Sequence, residues 1–227
     1  MPGFYDRVRK WSHTERARMR DTGPSDEDLL RDAGVARGWG ERGHTLYERT
    51  TVRPSLAVAG MTGGYQGPGV KRIIPAHALA KLNIRLVPDQ DPREVDRLFR
   101  EHIVRVTPPT VRATVRTHSR AKPVLLDPSH HAMRAAALAY RKGFGASPVF
   151  MRSGGTIPVV STFQEALGIP TVLMGFALPD DRIHAPNEKF HIPNFYNGIT
   201  TSLWFLAALK REKVLRASED LGWSMNL

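Results

Sequence analysis

Between residues 54 and 118 polar and apolar positions alternate with two different periods. Leu56 and Val58 alternate with small residues, which predicts a strand. Ala78, Ala80, Leu82, Ile84 and Leu86 face one way and Lys81, Asn83 and Arg85 the other. That pattern predicts a long antiparallel strand with one wet face. Asp91-Pro92 is a helix cap followed by proline at the first helical position, and Val95, Leu98, Phe99 and Ile103 form the apolar stripe of the helix it starts. Val111, Ala113, Val115 and Thr117 then alternate with Arg112, Thr114, Arg116 and His118, a further strand. The order is β-β-α-β.

Residues 1–50 are polar and read as irregular, apart from a short helix near 26–33 between Ser25 and Gly34. Residues 121–126 read as a linker. Asp127-Pro128 starts a helix carrying Met133, Ala136, Ala137 and Tyr140, with Gly143 as its stop. The apolar run Pro148-Val149-Phe150-Met151 leads into the glycine turn Arg152-Ser153-Gly154-Gly155-Thr156-Ile157-Pro158, then a helical pattern from Val159 to Leu167. A strand, Ile169 to Met174, follows, then a polar loop from Pro179 to Phe190. This is a βαβ order with both loops at the carboxyl ends of strands, the edge where open α/β sheets bind ligands. A glycine turn feeding a helix presents unpaired backbone N–H groups, which suit a carboxylate or phosphate. A last helix, from near Asn194, places Phe195, Ile199, Leu203, Leu206 and Leu209 on one face, and residues 211–227 are a polar tail.

At 227 residues, 41% hydrophobic and 24% charged, the chain has the composition of a globular protein of one or two domains. No apolar run approaches the roughly 20 residues of a membrane span, and Met1 to Arg7 lacks an apolar signal core. With no cysteine, any metal must be held by His and carboxylates. These features predict a cytoplasmic protein. The net charge of +11 comes from dispersed arginines and lysines without interleaved aromatics, so no specific nucleic-acid partner is expected.

Arg152-Ser153-Gly154-Gly155-Thr156-Ile157-Pro158-Val159, Phe163-Gln164-Glu165 and His184-Ala185-Pro186-Asn187-Glu188-Lys189-Phe190 resemble motifs of the carnosinase-like dipeptidases. Those enzymes belong to the aminoacylase/carboxypeptidase/succinyl-diaminopimelate desuccinylase metallopeptidase family. Upstream, Gly63 to Gly69, Ile74-Pro75-Ala76 and Arg85-Leu86-Val87-Pro88 are similar to motifs of the same family in the same order. The resemblance implies a C-terminal portion of the family fold. Residues 1–120 would be a partial dimerisation (lid) domain, with an irregular N-terminal segment. Residues 121–210 would be the C-terminal, βαβ part of a zinc-exopeptidase-type catalytic domain, and 211–227 a tail. In that lid, β-β-α-β is the last two-thirds of a ferredoxin-like β-α-β-β-α-β order, its opening β-α pair missing.

The resemblance also implies site residues. His184 matches the family's last metal ligand. Arg85 matches a clamp for the substrate carboxylate, a task suited to a planar guanidinium; on the residues alone it is a solvated strand arginine. Gly154, Gly155 and Thr156 would bind substrate, and Thr156 can also be a plain helix cap. His118 is either a substrate contact or an ordinary hinge histidine. Ser153 stands where the dipeptidases usually have Glu. The complete enzyme would hold two divalent metal ions, zinc being the expected pair, and cleave a dipeptide or N-acyl amino acid as a homodimer joined through the lid. The family's other ligands and its general base lie on His-x-Asp and Glu-Glu motifs, and this sequence has neither. Because four-coordinate zinc needs at least three protein ligands, the chain alone is expected to hold no metal stably, and no catalytic residue is assigned. Two functional readings follow: a metal-dependent amidohydrolase represented by its C-terminal part and inactive alone, or a non-catalytic dimerisation or binding module or truncated gene product.

Overall fold

The computed structural model describes residues 1–154 and 157–220, with side chains as far as Lys210. The chain divides into two compact units. One comprises Met1–Val124 and Met151–Ser161, the other Leu125–Phe150 and the chain from Thr162 onward.

The first unit opens with three short helices where the sequence reading expects irregular chain: α1 (His13–Thr22), α2 (Asp26–Ala33) and α3 (Leu46–Thr51). Caps explain them. Ser12 and Glu15 bond each other's backbone N–H at the start of α1, and Thr45 and Glu48 do the same for α3. Each box satisfies two donors that a helix start leaves open. The spacing Ser12-x-x-Glu15 and Thr45-x-x-Glu48 is visible in the sequence, so the signal was there. At α2 the expected cap forms, Ser25 accepting from the Asp28 N–H, and Gly34 ends the helix in the left-handed region at φ +66°. A small core of Met19, Tyr47 and Val52, with Trp11 and Leu29 against it, ties α1–α3 together. Beside it the Arg16 guanidinium forks onto the buried Glu48 carboxylate at 2.6 and 2.8 Å.

Strands β1 (Ser55–Gly63) and β2 (Ala78–Arg85) pair antiparallel from Ser55↔Arg85 to Gly63↔Ala78. The register shifts between Val58 and Gly60, so Ala59 is the extra residue of a bulge. Helix α4 (Pro92–Val106) follows, with Asp91 accepting from the N–H groups of Arg93 and Glu94. The fold is thus mixed α/β and its lid-like part runs β-β-α, but the expected last strand differs. Residues 111–118 form no helix or strand and lie in no ladder. A strand is defined by a hydrogen-bonded neighbour, and among the described residues the sheet has two strands. The expected dry face of β2 is mostly exposed too: Ala78, Ala80 and Leu82 face water and Ile84 is half-buried.

In the second unit α5 (His131–Phe144) packs on α7 (Ile192–Asp220), with α6 (Pro158–Leu167) running into the unit from the glycine turn. Three expectations are corrected here. Gly143 is not the stop of α5, which ends at Gly145 with φ +71°. A Cβ on Gly143 would lie 2.0 Å from Thr201 Oγ1 and 2.8 Å from the Asn197 carbonyl, so this glycine lets the two helices touch. The buried side of α7 is accordingly Gly198, Thr201 and Ala208, against Ala132, Ala135, Ala136 and Ala139 of α5. Of the expected apolar face, Phe195, Ile199, Leu203 and Leu206 are exposed and Leu209 is half-buried. Residues 148–151 and 169–174, expected as strands, form no helix or strand and have no ladder partners among the described residues. The second is anchored just beyond its end. Phe176 stacks on Phe144, its carbonyl accepts from Asn194, and the Tyr140 hydroxyl donates to the Gly175 carbonyl.

Candidate functional site

Two elements of the first unit, β2 and α3, converge on the glycine turn. From β2, Arg85 Nη1 donates to the Gly154 carbonyl at 2.6 Å. From α3, the Tyr47 hydroxyl accepts from the Arg152 N–H at 2.8 Å and donates to the Arg152 carbonyl at 2.9 Å. Gly154 itself sits so close to the end of α3 that a Cβ would lie 1.8 Å from the Thr50 carbonyl, which only glycine permits. Tyr47 is 5% exposed, and burial pushes its phenol above the usual value, partly offset by the bond to Arg152. The Arg152 guanidinium lies 4.7 Å from the Trp11 ring centre, and burial lowers its pKa. Arg85 is exposed and spends one of five N–H donors on Gly154, leaving a guanidinium edge with capacity for a carboxylate.

Sequence reasoning missed Tyr47, because a lone tyrosine in a polar stretch carries no motif. The capping box around it was the available clue: it fixes a helix whose second residue is Tyr47. Gly155 and Thr156, the remaining expected residues of the turn, lie outside the described residues. His118 is exposed in the irregular chain after α4, and no hydrogen bond joins it to Arg85 or Gly154 among the described residues. It stands between its two readings.

His184 belongs to the second unit, on a loop shaped by Asp181. The Asp181 carboxylate is buried and accepts from the Leu178 N–H at 2.7 Å, and its carbonyl accepts from the Lys189 N–H at 3.0 Å. Lys189 also pairs with Asp180, whose carboxyl that contact holds below its usual value. The backbone between turns left-handed at Arg182, His184 and Asn187, with φ of 54°, 64° and 61°. Positive φ in a non-glycine residue is uncommon, and Asn and His accept it more readily than most. The His184 imidazole is exposed. Asp181 is the second residue the sequence reading passed over.

The donor set decides what metal chemistry these residues can support. Among the described residues no three His, Asp or Glu side chains are grouped to hold an ion. His184 is one candidate ligand, and one imidazole does not make a zinc site. The described residues therefore do not fit a complete metal centre. The chemistry they can perform is recognition, through a guanidinium beside a fixed glycine turn.

Residues 22–207 match the model of Peptidase family M20/M25/M40. The chain is 31% identical over 208 residues to the Cys-Gly metallodipeptidase of Saccharomyces cerevisiae, covering 90% of this chain and 43% of that protein. Among solved structures it is similar to an M20 family metallo-carboxypeptidase from Sulfolobus solfataricus, with TM-score 0.79 and 29% identity over 92% of this chain and 47% of that one. It is also similar to human carnosine dipeptidase 1, with TM-score 0.78 and 25% identity over 92% of this chain and 45% of that one. The chain spans somewhat less than half the length of these relatives. No helix among the described residues is long and apolar enough to cross a membrane. With the family model matched over most of its length, the chain belongs to peptidase family M20/M25/M40.

Proposed function

We propose that this chain supplies the carboxylate-holding wall and one metal ligand of a cytoplasmic metal-dependent dipeptidase or N-acyl amino acid amidohydrolase. Arg85 holds the substrate's terminal carboxylate, and the turn at Gly154, Gly155 and Thr156 lines the same wall. His118 is a further substrate contact and His184 a ligand of a divalent metal, zinc being expected. Residues 1–120 act as the lid and dimerisation part and 121–210 as the catalytic part. The remaining ligands and the general base come from polypeptide outside this chain, so the chain alone does not turn over substrate. The observation that carries this reading is the 2.6 Å bond from Arg85 to the Gly154 carbonyl, which puts a guanidinium with free donors at a turn of the family motif.

Isothermal titration of the chain with Cys-Gly and with Cys-Gly amide tests it. Saturable binding of the free dipeptide is expected, with a loss of about ten- to hundredfold for the amide and for Arg85→Ala, as a charge-assisted contact of about 1.5–3 kcal/mol implies. Equal binding of acid and amide would overturn the substrate model. A second reading, a non-catalytic binding or dimerisation module, is favoured by the lack of a three-donor metal group among the described residues. Adding a polypeptide that carries His-x-Asp and Glu-Glu motifs separates the two: zinc-dependent hydrolysis follows under the first reading and not under the second.

A further inference from the structure

Away from the glycine turn, the outer face of α4 carries a basic groove of about 400 Å³ lined by Arg93, Asp96, Arg97, Arg100, Glu101 and Arg120. Five of these recur at spacings of three and four along one helix face, and Arg120 reaches in from the irregular chain that follows the helix. Four guanidinium groups face two carboxylates, so the groove keeps an excess of two positive charges. Its floor is fixed. Asp96 accepts from Arg120 at 2.5 Å, from Thr117 at 2.6 Å and from Arg100 at 3.3 Å, while Arg100 also donates to the Val115 carbonyl and to Thr117. Those contacts, Arg120 first, hold the Asp96 carboxyl down to about 2, so it stays ionised and keeps both arginines in place.

The rim is not fully used. Arg97 spends one donor on Glu101, and the Arg93 side chain has no partner among the described residues. Arg120 spends one donor on Asp96 and has four left. Three guanidinium groups with spare N–H donors thus border one groove whose own carboxylates are already engaged. Planar forks of this kind match phosphate oxygens in pairs.

We propose that this groove is a binding site for a phosphate group, with Arg93, Arg97 and Arg120 as its donors. It is separate from the glycine turn and from His184 and does not rest on the function proposed for them. The phosphate comes from a small phosphorylated molecule or from a lipid headgroup, and two probes distinguish the sources. Titration calorimetry with inorganic pyrophosphate reads the first, and co-sedimentation with phosphatidylcholine vesicles containing phosphatidic acid reads the second. Both are run in about 0.15 M salt, where charges farther apart than about 8 Å are largely screened.

Saturable binding of one probe is expected, weakened about tenfold or more in Arg93→Ala/Arg97→Ala. Both side chains are exposed, so this variant keeps the melting temperature of the parent. Arg18→Ala/Arg20→Ala on α1 removes the same charge elsewhere and should bind like the parent. Absence of saturable binding by both probes, or an equal loss in the two double variants, overturns the proposal.

Discussion

Tyr47 is the residue on which the glycine turn depends most directly. Tyr47→Phe keeps the ring in the core with Met19 and Val52 but removes both bonds to Arg152. The lost pair and the unpaired Arg152 N–H should cost about 1–3 kcal/mol, read as a lower urea midpoint. Hydrogen exchange should quicken at Arg152. If Arg152 exchange is unchanged, the turn is held by other contacts. Asp181 plays a comparable part for the His184 loop. Asp181→Ala strips the acceptor from the Leu178 N–H, and faster exchange there and at Lys189, whose N–H bonds the Asp181 carbonyl, is the expected result. Asp96 carries a pH dependence. Its carboxyl titrates at about 2 in the folded chain against an ordinary value of 3.8, so its contribution is complete above about pH 4 and lost as the pH falls through about 2. With the side chain 15% exposed, a contribution of about 1–2 kcal/mol is expected. Urea midpoints of the parent and Asp96→Asn should therefore converge as the pH drops from 5 towards 2, roughly the window of that linkage; a constant gap would show that the network does not depend on the charge.

Helix α7 shows how packing can invert a pattern. By periodicity its apolar residues belong inside, yet Gly143 and the alanines of α5 admit only small partners, and the side with Gly198, Thr201 and Ala208 is buried. Substitutions should follow the structure. Gly143→Ala places a methyl against Thr201 and the Asn197 carbonyl and should destabilise the second unit by about 1–3 kcal/mol, as overpacking does. Leu203→Lys, on a side chain 65% exposed, should change stability by less than about 0.5 kcal/mol. Thermal melts of the two variants check the order; a larger loss for Leu203→Lys would restore the periodicity reading.

For the molecule as a whole, apolar surface is left uncovered in both units. Val58, Met61 and Leu79 on the two-stranded sheet are each more than half exposed, as are Phe195, Leu203 and Leu206 on α7. Exposed apolar patches and open strand edges favour association. Size-exclusion chromatography with light scattering should show dimers or larger species whose share grows with concentration. A monomer at every concentration would mean these surfaces tolerate water.

Local features of this chain were legible in its sequence because they depend on neighbouring residues. The caps at Ser25 and Asp91, the alternation of β2 and the stripe of α4 need only a few consecutive side chains. The Arg152 to Val159 and His184 to Phe190 motifs, read in order, pointed to the family that the matched model shows. The helices around Ser12 and Thr45 were encoded in the same way and went unread. Other features required distant chain. Residues 111–118, 148–151 and 169–174 have strand-like patterns, but a pattern supplies no hydrogen-bond partner, and only the tertiary structure decides whether one is present. Tyr47 and Arg152 stand 105 positions apart, Arg85 and Gly154 69 apart, and Gly143 meets Thr201 only where two helices touch. The sequence determined which short segments could be helix or strand; folding decided which faces met, because burial and hydrogen bonding act between residues that are close in space, whatever their separation along the chain.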